Sequence, residues 1–323
     1  MRKKIKYIAT IFAFMILMLI CNKVYAVEIT ETLTNAPYNN SSYCESMLPI
    51  QSFNVVQSSS NSGTASNYPT VLTFGAGSYN ETSHTYTKTC QIDFSGTTFS
   101  EYGDYLFELT SVGDTGKYYV NVFVDNTGYT VDSLVGVGDI SGKESNPNIT
   151  IPNPNTYIKI DKQVKGDIAD LSKDFTFNVK IDGYTGDTYT VVKPDSTTDT
   201  YTVARTGTEV TGVNYTIGHN ENLTIGKNGT TMQIPVGTNY TITETSDGYT
   251  TTYKYINRAG ATEQTGAVVT DVAMETDTDN EVKFINTKNA EATTGVFYNV
   301  LPFMAVIILA VVGIVLMKKT KNK

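Results

Sequence analysis

Residues 158–164 read Ile158-Lys159-Ile160-Asp161-Lys162-Gln163-Val164. Alternate side chains of a strand share a face. Ile158, Ile160, Lys162 and Val164 therefore point one way, toward a core, while Lys159, Asp161 and Gln163 point to water. The same period of two runs through Phe175-Thr176-Phe177-Asn178-Val179-Lys180-Ile181, Tyr240-Thr241-Ile242-Thr243-Glu244 and Val282-Lys283-Phe284-Ile285-Asn286, and earlier through Tyr118-Tyr119-Val120-Asn121-Val122-Phe123-Val124. Gly, Asn, Asp and Pro break the chain between these runs. Short alternating runs at this spacing predict antiparallel β-sandwiches, and no amphipathic helix of useful length is expected. The expected fold class is all-β.

The stretch Asn146-Pro147-Asn148-Ile149-Thr150-Ile151-Pro152-Asn153-Pro154-Asn155 reads as a linker, rich in Pro and Asn and too short to fold alone. It separates bodies of about 125 and about 135 residues, each an ordinary size for one sandwich. The 323 residues thus divide into two tandem Ig-like antiparallel β-sandwich domains, 27–150 and 151–290. A signal peptide, 1–26, and a C-terminal transmembrane sorting segment, 291–323, flank them.

Both ends carry targeting patterns. Arg2, Lys3, Lys4 and Lys6 precede the 13-residue apolar run Ile8–Ile20, and Val24-Tyr25-Ala26 offers a small residue for cleavage. The run is short for a membrane span, which favours a cleaved signal over an uncleaved anchor. Val300–Met317 is an uncharged run of 18 residues followed by a basic tail ending at Lys323. Such a tail stays in the cytoplasm. Upstream lies Glu291-Ala292-Thr293-Thr294-Gly295. The order Thr-Gly, apolar span, basic tail resembles the sorting signal of Gram-positive surface proteins handled by sortase, although the usual Leu and Pro are missing. The resemblance implies cleavage between Thr294 and Gly295; the other reading is a plain stop-transfer helix.

Charge excludes some functions. The chain has 24 basic and 32 acidic residues. Residues 1–26 and 295–323 hold nine of the basic residues and no acid, so the body between them is strongly acidic. An acidic body repels phosphate backbones, so no nucleic-acid partner is expected. His84 and His219 stand apart in loops, and neither a nucleophile elbow nor a zinc-protease motif occurs. The acidic pair Asp277 and Asp279 reads most simply as a solvated turn, with weak calcium binding as the other reading. No enzyme activity on an external substrate, no cofactor and no metal is expected. Cys44 and Cys90 remain after export and are a candidate disulfide; two free thiols are the alternative.

Three polar residues fall in core phase: Lys162 on an opening strand, Glu244 at the end of a late strand, and Asn286 on a closing strand. Buried charges are costly unless paired. A single such residue reads as a rim side chain reaching solvent. Three together make an intramolecular isopeptide bond a chemical option. Desolvation lowers the lysine pKa and supplies a neutral amine. The same setting raises the glutamic acid pKa, so its protonated carboxyl can polarise the asparagine amide and shuttle a proton. Attack of Lys162 Nζ on Asn286 Cγ then expels ammonia.

The segments Lys162–Gly166, Ser172–Phe177, Ile234–Glu244 and Phe284–Lys288, in that order, resemble the isopeptide-forming domain of streptococcal FctA-type backbone pilins over about residues 156–290. The resemblance implies that Lys162, Glu244 and Asn286 are the bond-forming lysine, the catalytic glutamate and the acceptor asparagine. The first half is similar to that family's N-terminal domain more loosely, through Gln91–Tyr105 and Leu106–Thr110. There Glu31 stands in the lysine phase and a strand ends in Thr110-Ser111 rather than Thr-Glu, so no isopeptide bond is expected. Sortase, neighbouring pilin subunits and cell-wall peptidoglycan are the partners implied, with Lys143 as a candidate linking lysine or else an ordinary loop lysine. The function implied is a structural pilus subunit, exported and anchored at the cell wall. The alternative is a minor pilin or wall-anchored adhesin that uses loops such as Tyr38-Asn39-Asn40-Ser41-Ser42-Tyr43 for host surface ligands.

Overall fold

The computed structural model of the chain describes residues 26–58, 63–113, 117–126, 128–135, 148–276, 280–290, 304, 306–312 and 314. Alternation is the local cause of most of its elements. In the first half, strands β1 (Ala26–Thr34), β2 (Ser52–Gln57), β3 (Val71–Thr73), β4 (Ser78–Asn80), β5 (Thr85–Asp93), β6 (Gly103–Val112), β7 (Lys117–Asp125), β8 (Gly128–Val135) and β9 (Asn148–Pro152) form two sheets. Their orders are β9-β1-β5-β4 and β8-β7-β6-β2-β3. Ile29 and Ile92 from one sheet meet Phe53, Phe107 and Val120 from the other in a common buried core.

The second half repeats the scheme with β10 (Ile158–Lys165), β11 (Phe175–Ile181), β12 (Thr188–Val192), β13 (Thr198–Thr202), β14 (Val213–Ile217), β15 (Asn222–Ile225), β16 (Asn239–Glu244), β17 (Thr250–Tyr255), β18 (Gln264–Thr265), β19 (Val268–Ala273) and β20 (Glu281–Thr287). A seven-stranded sheet, β13-β12-β15-β10-β20-β17-β18, faces a four-stranded one, β14-β11-β16-β19. Ile160, Leu223 and Phe284 pack against Phe177, Val179 and Ile242 between them.

One pairing in each half departs from the expected antiparallel pattern. β1 lies parallel to β9, and β10 lies parallel to β20. These strands open and close each unit and are joined by all of the intervening chain. No hairpin forces them to run in opposite directions. On the outer face Lys159 Nζ reaches Glu281 at 2.6 Å and Asp161 at 3.2 Å, a contact that favours one register of β10 on β20.

Residues 148–152, expected as linker, instead form edge strand β9 on β1. The chain then crosses to the second half through Asn153, which is buried and donates to the carbonyls of Asn35 (3.0 Å) and Val236 (2.9 Å). The Tyr38–Tyr43 loop, read as a candidate ligand surface, faces the same junction. Tyr43 donates to Asn153 Oδ1 at 2.7 Å, Asn40 Nδ2 donates to Gly237 O at 2.7 Å, and the Arg205 guanidinium stacks 3.9 Å from the Tyr38 ring centroid. His84 stacks on Tyr184 with centroids 4.0 Å apart. Three of that loop's side chains are thereby engaged with the second half. The short helix α1 (Ser41–Met47) also lies here, started by the Asn40 side chain accepting from Tyr43 N. Seven residues are too few to impose a helical period on the sequence, so alternation gave no sign of it.

Among the described residues no helix is long and apolar enough to cross a membrane. The signal peptide 1–26 falls outside the described residues except for Ala26; within the span 300–317, residues 304, 306–312 and 314 are described, and they are helical.

Candidate functional site

Strand phase carries three polar side chains into the second core. Lys162, Glu244 and Asn286 are all buried, with both charged side chains fully out of solvent. Lys162 lies on β10 and Asn286 on its parallel neighbour β20, offset by two residues, since Val164 is the register partner of Asn286. Both therefore project inward from adjacent strands. Glu244 ends β16 in the facing sheet, opposite Phe177 of β11. Lys162 Nζ stands 2.6 Å from Glu244 Oε1, and Asn286 Nδ2 donates to the same oxygen at 2.8 Å. One carboxylate oxygen thus gathers the amine and the amide.

The surroundings are aromatic. Lys162 Nζ lies 4.3 Å from the Phe175 centroid and 5.9 Å from that of Phe177, and Phe177 packs edge-on against Phe284. Burial pulls the Lys162 pKa down to about 8, against the opposing pull of Glu244. Burial likewise pushes the Glu244 carboxyl up, against Lys162 and the Asn286 amide. The two shifts run toward each other, which lowers the cost of passing a proton from ammonium to carboxylate. Among the described residues Glu244 Oε2 has no hydrogen-bond partner. A bare buried carboxylate oxygen favours the neutral acid further.

Thr251 completes the site and was not legible from the sequence. It sits on β17 directly across from Asn286. Its buried hydroxyl donates to Asn286 Oδ1 at 2.8 Å. The amide is therefore held at both ends, nitrogen toward Glu244 and oxygen toward Thr251. The register between β17 and β20 determines this pairing, and alternation alone does not give register.

A family model described as a domain of unknown function, DUF7601, matches residues 156–288, the span that contains all four residues. A curated relative named Pilin, from Streptococcus pyogenes serotype M1, is 28% identical over 255 residues, covering 73% of this chain and 73% of the relative. The chain resembles streptococcal pilins. A crystal structure of a mutant of the major pilin from Streptococcus pyogenes superposes with a TM-score of 0.51 at 19% identity, covering 82% of this chain and 99% of the pilin. That second likeness is one of fold, two successive β-sandwiches.

The corresponding place in the first half is filled differently. In the β1–β9 ladder Glu31 pairs with Ile149 and Leu33 with Ile151, as Lys162 pairs with Phe284 and Val164 with Asn286. In the facing sheet Phe53 pairs with Ser111, as Phe177 pairs with Glu244. Glu31, Ser111 and Ile151 thus take the positions of Lys162, Glu244 and Asn286. A lysine is present, but from the other neighbour. Lys88 on β5 lies opposite Glu31, with Nζ 3.1 Å from Glu31 Oε2 and 3.0 Å from Leu48 O. Both side chains are buried. Sequence reading noticed Glu31 and missed Lys88. The signal was available, because Tyr86, Lys88, Cys90 and Ile92 share one strand face.

The candidate Cys44–Cys90 bridge is absent, and both thiols are free and buried. Cys44, on α1, packs with Leu33, Leu48 and Tyr86, whereas Cys90, on β5, belongs to the main core. Packing in two separate clusters keeps them apart. Burial pushes the thiols up to about 11 for Cys44 and about 12 for Cys90, so neither carries reactive thiolate at neutral pH. A thiol reagent is expected to label neither cysteine in the folded protein and both after unfolding, without reductant; labelling only after reduction would show a bridge. His219 Nδ1 accepts from Val164 N at 2.9 Å, a structural role beside the site. Lys143, Thr294, Gly295, Asp277 and Asp279 lie outside the described residues.

Proposed function

We propose that the chain is a pilin, the repeating subunit of a covalently joined fibre on a Gram-positive cell surface, with a self-formed Lys162–Asn286 amide in its second half. The observation that carries this reading is the convergence of a buried lysine, glutamate and asparagine on one carboxylate oxygen. The curated pilin relative supports it. Sortase is the partner that cleaves after Thr294 and passes its acyl group to a lysine of the next subunit, with Lys143 the candidate acceptor. Peptidoglycan takes the last subunit. The chain acts on itself once and turns over no external substrate.

The parallel pair gives the amide a mechanical role. Tension would enter at the start of β10 and leave beyond the end of β20, eight residues after Asn286 at Thr294. Those are opposite ends of two parallel neighbours, so the ladder is loaded in shear. An amide between them carries that load past the 123 residues separating Lys162 from Asn286.

Cell-wall extracts of the producing bacterium, probed with antibody to this chain after boiling in detergent, are expected to give a ladder of multiples that vanishes in a sortase-deficient strain. A single band in both strains would rule out the fibre and leave a monomeric surface protein.

A further inference from the structure

Resting on the proposed amide-forming reaction, we infer that Thr251 is a catalytic residue of that reaction, the hydrogen-bond donor that polarises the Asn286 carbonyl and holds the oxyanion formed on attack. A carboxylate only accepts, so while Glu244 is ionised both nitrogen donors must face it. The amide nitrogen does so at 2.8 Å. The carbonyl oxygen is thereby turned to the other side, where the Thr251 hydroxyl meets it at 2.8 Å. Glu244 is placed to serve the leaving nitrogen and cannot reach Oδ1 in this arrangement. Charge developing on Oδ1 needs another donor, and in a core without bulk water a fixed hydroxyl is worth far more than in solution.

The step balances with these groups alone. Lys162 ammonium passes one proton to Glu244. The neutral amine attacks Cγ, and the C–O π electrons move to Oδ1, which Thr251 stabilises. Glu244 delivers its proton to Nδ2 and accepts one from the attacking nitrogen as the C–N bond to Nδ2 breaks. Ammonia leaves, the new amide keeps one hydrogen on Nζ, and Glu244 ends as the neutral acid. Thr251 gives up no proton, so a serine in its place serves as well and a valine of the same shape does not.

The test follows ammonia loss by intact mass in full-length chain made by cell-free translation in detergent and quenched in acid at intervals. Thr251→Val is expected to slow the loss on the order of 10²-fold, the usual penalty for deleting one oxyanion donor, and Thr251→Ser to stay near wild type. Wild-type speed in Thr251→Val would overturn the assignment. Valine is also placed in a Glu244→Ala background, where no bond forms. A fall in melting temperature there comparable to the effect of Thr251→Val alone would assign Thr251 to folding instead of chemistry, and overturn it too. If the wild type itself never loses ammonia, the cross-link reading falls, and the inference with it, by a visibly different result.

Discussion

Wild-type protein is expected to weigh one ammonia less than its sequence, and Glu244→Ala to weigh what its sequence predicts. The deficit should be one ammonia and not two, because Ile151 replaces the asparagine in the first half and offers no electrophile. Asn286→Ala separates the bond from the ion pair, since it removes the acceptor and leaves Lys162 beside Glu244. By analogy with disulfides, closing a loop of 123 residues stabilises by about 5 kcal/mol. For a unit of this size, Asn286→Ala should then lower the melting temperature of the second half by about 15–20 °C. Glu244→Ala should fall further, because it also strands a buried amine, at a cost of roughly 3–5 kcal/mol for a broken buried pair. A wild-type mass equal to the sequence mass, or a melting temperature unmoved by Asn286→Ala, would remove the covalent bond from the description.

What could be read from the sequence tracks what alternation encodes. Phase placed Lys162, Glu244 and Asn286 on core-facing sides without any knowledge of which strands pair, since a residue's face depends only on its own strand. Register is set between strands by side-chain packing and turns, so Thr251 was hidden: Thr250, Thr251 and Thr252 look alike until β17 is laid on β20. The parallel β1–β9 and β10–β20 pairs were hidden for the same reason, as direction is a property of topology. Asn148–Pro152 was misread because Pro and Asn composition marks breaks in regular structure, yet an edge strand tolerates Pro where its missing N–H faces away from the ladder. The disulfide expectation relied on compartment and an even count of cysteines. Neither of these says whether two side chains meet, and here each cysteine fills a different cluster.

Breaking the first half's own buried pair is expected to be nearly as damaging as losing the proposed cross-link. Lys88→Met strands Glu31 in the core, where Glu31 Oε1 also accepts from Ile50 N at 3.3 Å. Removing one partner of such a pair costs roughly 3–5 kcal/mol, while replacing both with apolar residues of similar volume is often neutral or better. Glu31→Leu with Lys88→Met should therefore recover most of what either single change loses, with a coupling of several kcal/mol in a double-mutant cycle followed by denaturant melting of the first half. If the double variant is as unstable as the sum of the singles, the two groups are not energetically paired and the 3.1 Å contact has no thermodynamic meaning. The expected recovery bears on the difference between the halves. An ion pair, however well buried, separates when its strands are pulled apart, and its energy is regained only on refolding. An amide in the equivalent place does neither. With Glu31, Ser111 and Ile151 where the second half has Lys162, Glu244 and Asn286, the first half retains a charged core without the chemistry to fix it. Under load it should therefore unfold first and at lower force, measurable by pulling single molecules from both ends, while the stretch between Lys162 and Asn286 contributes no added length.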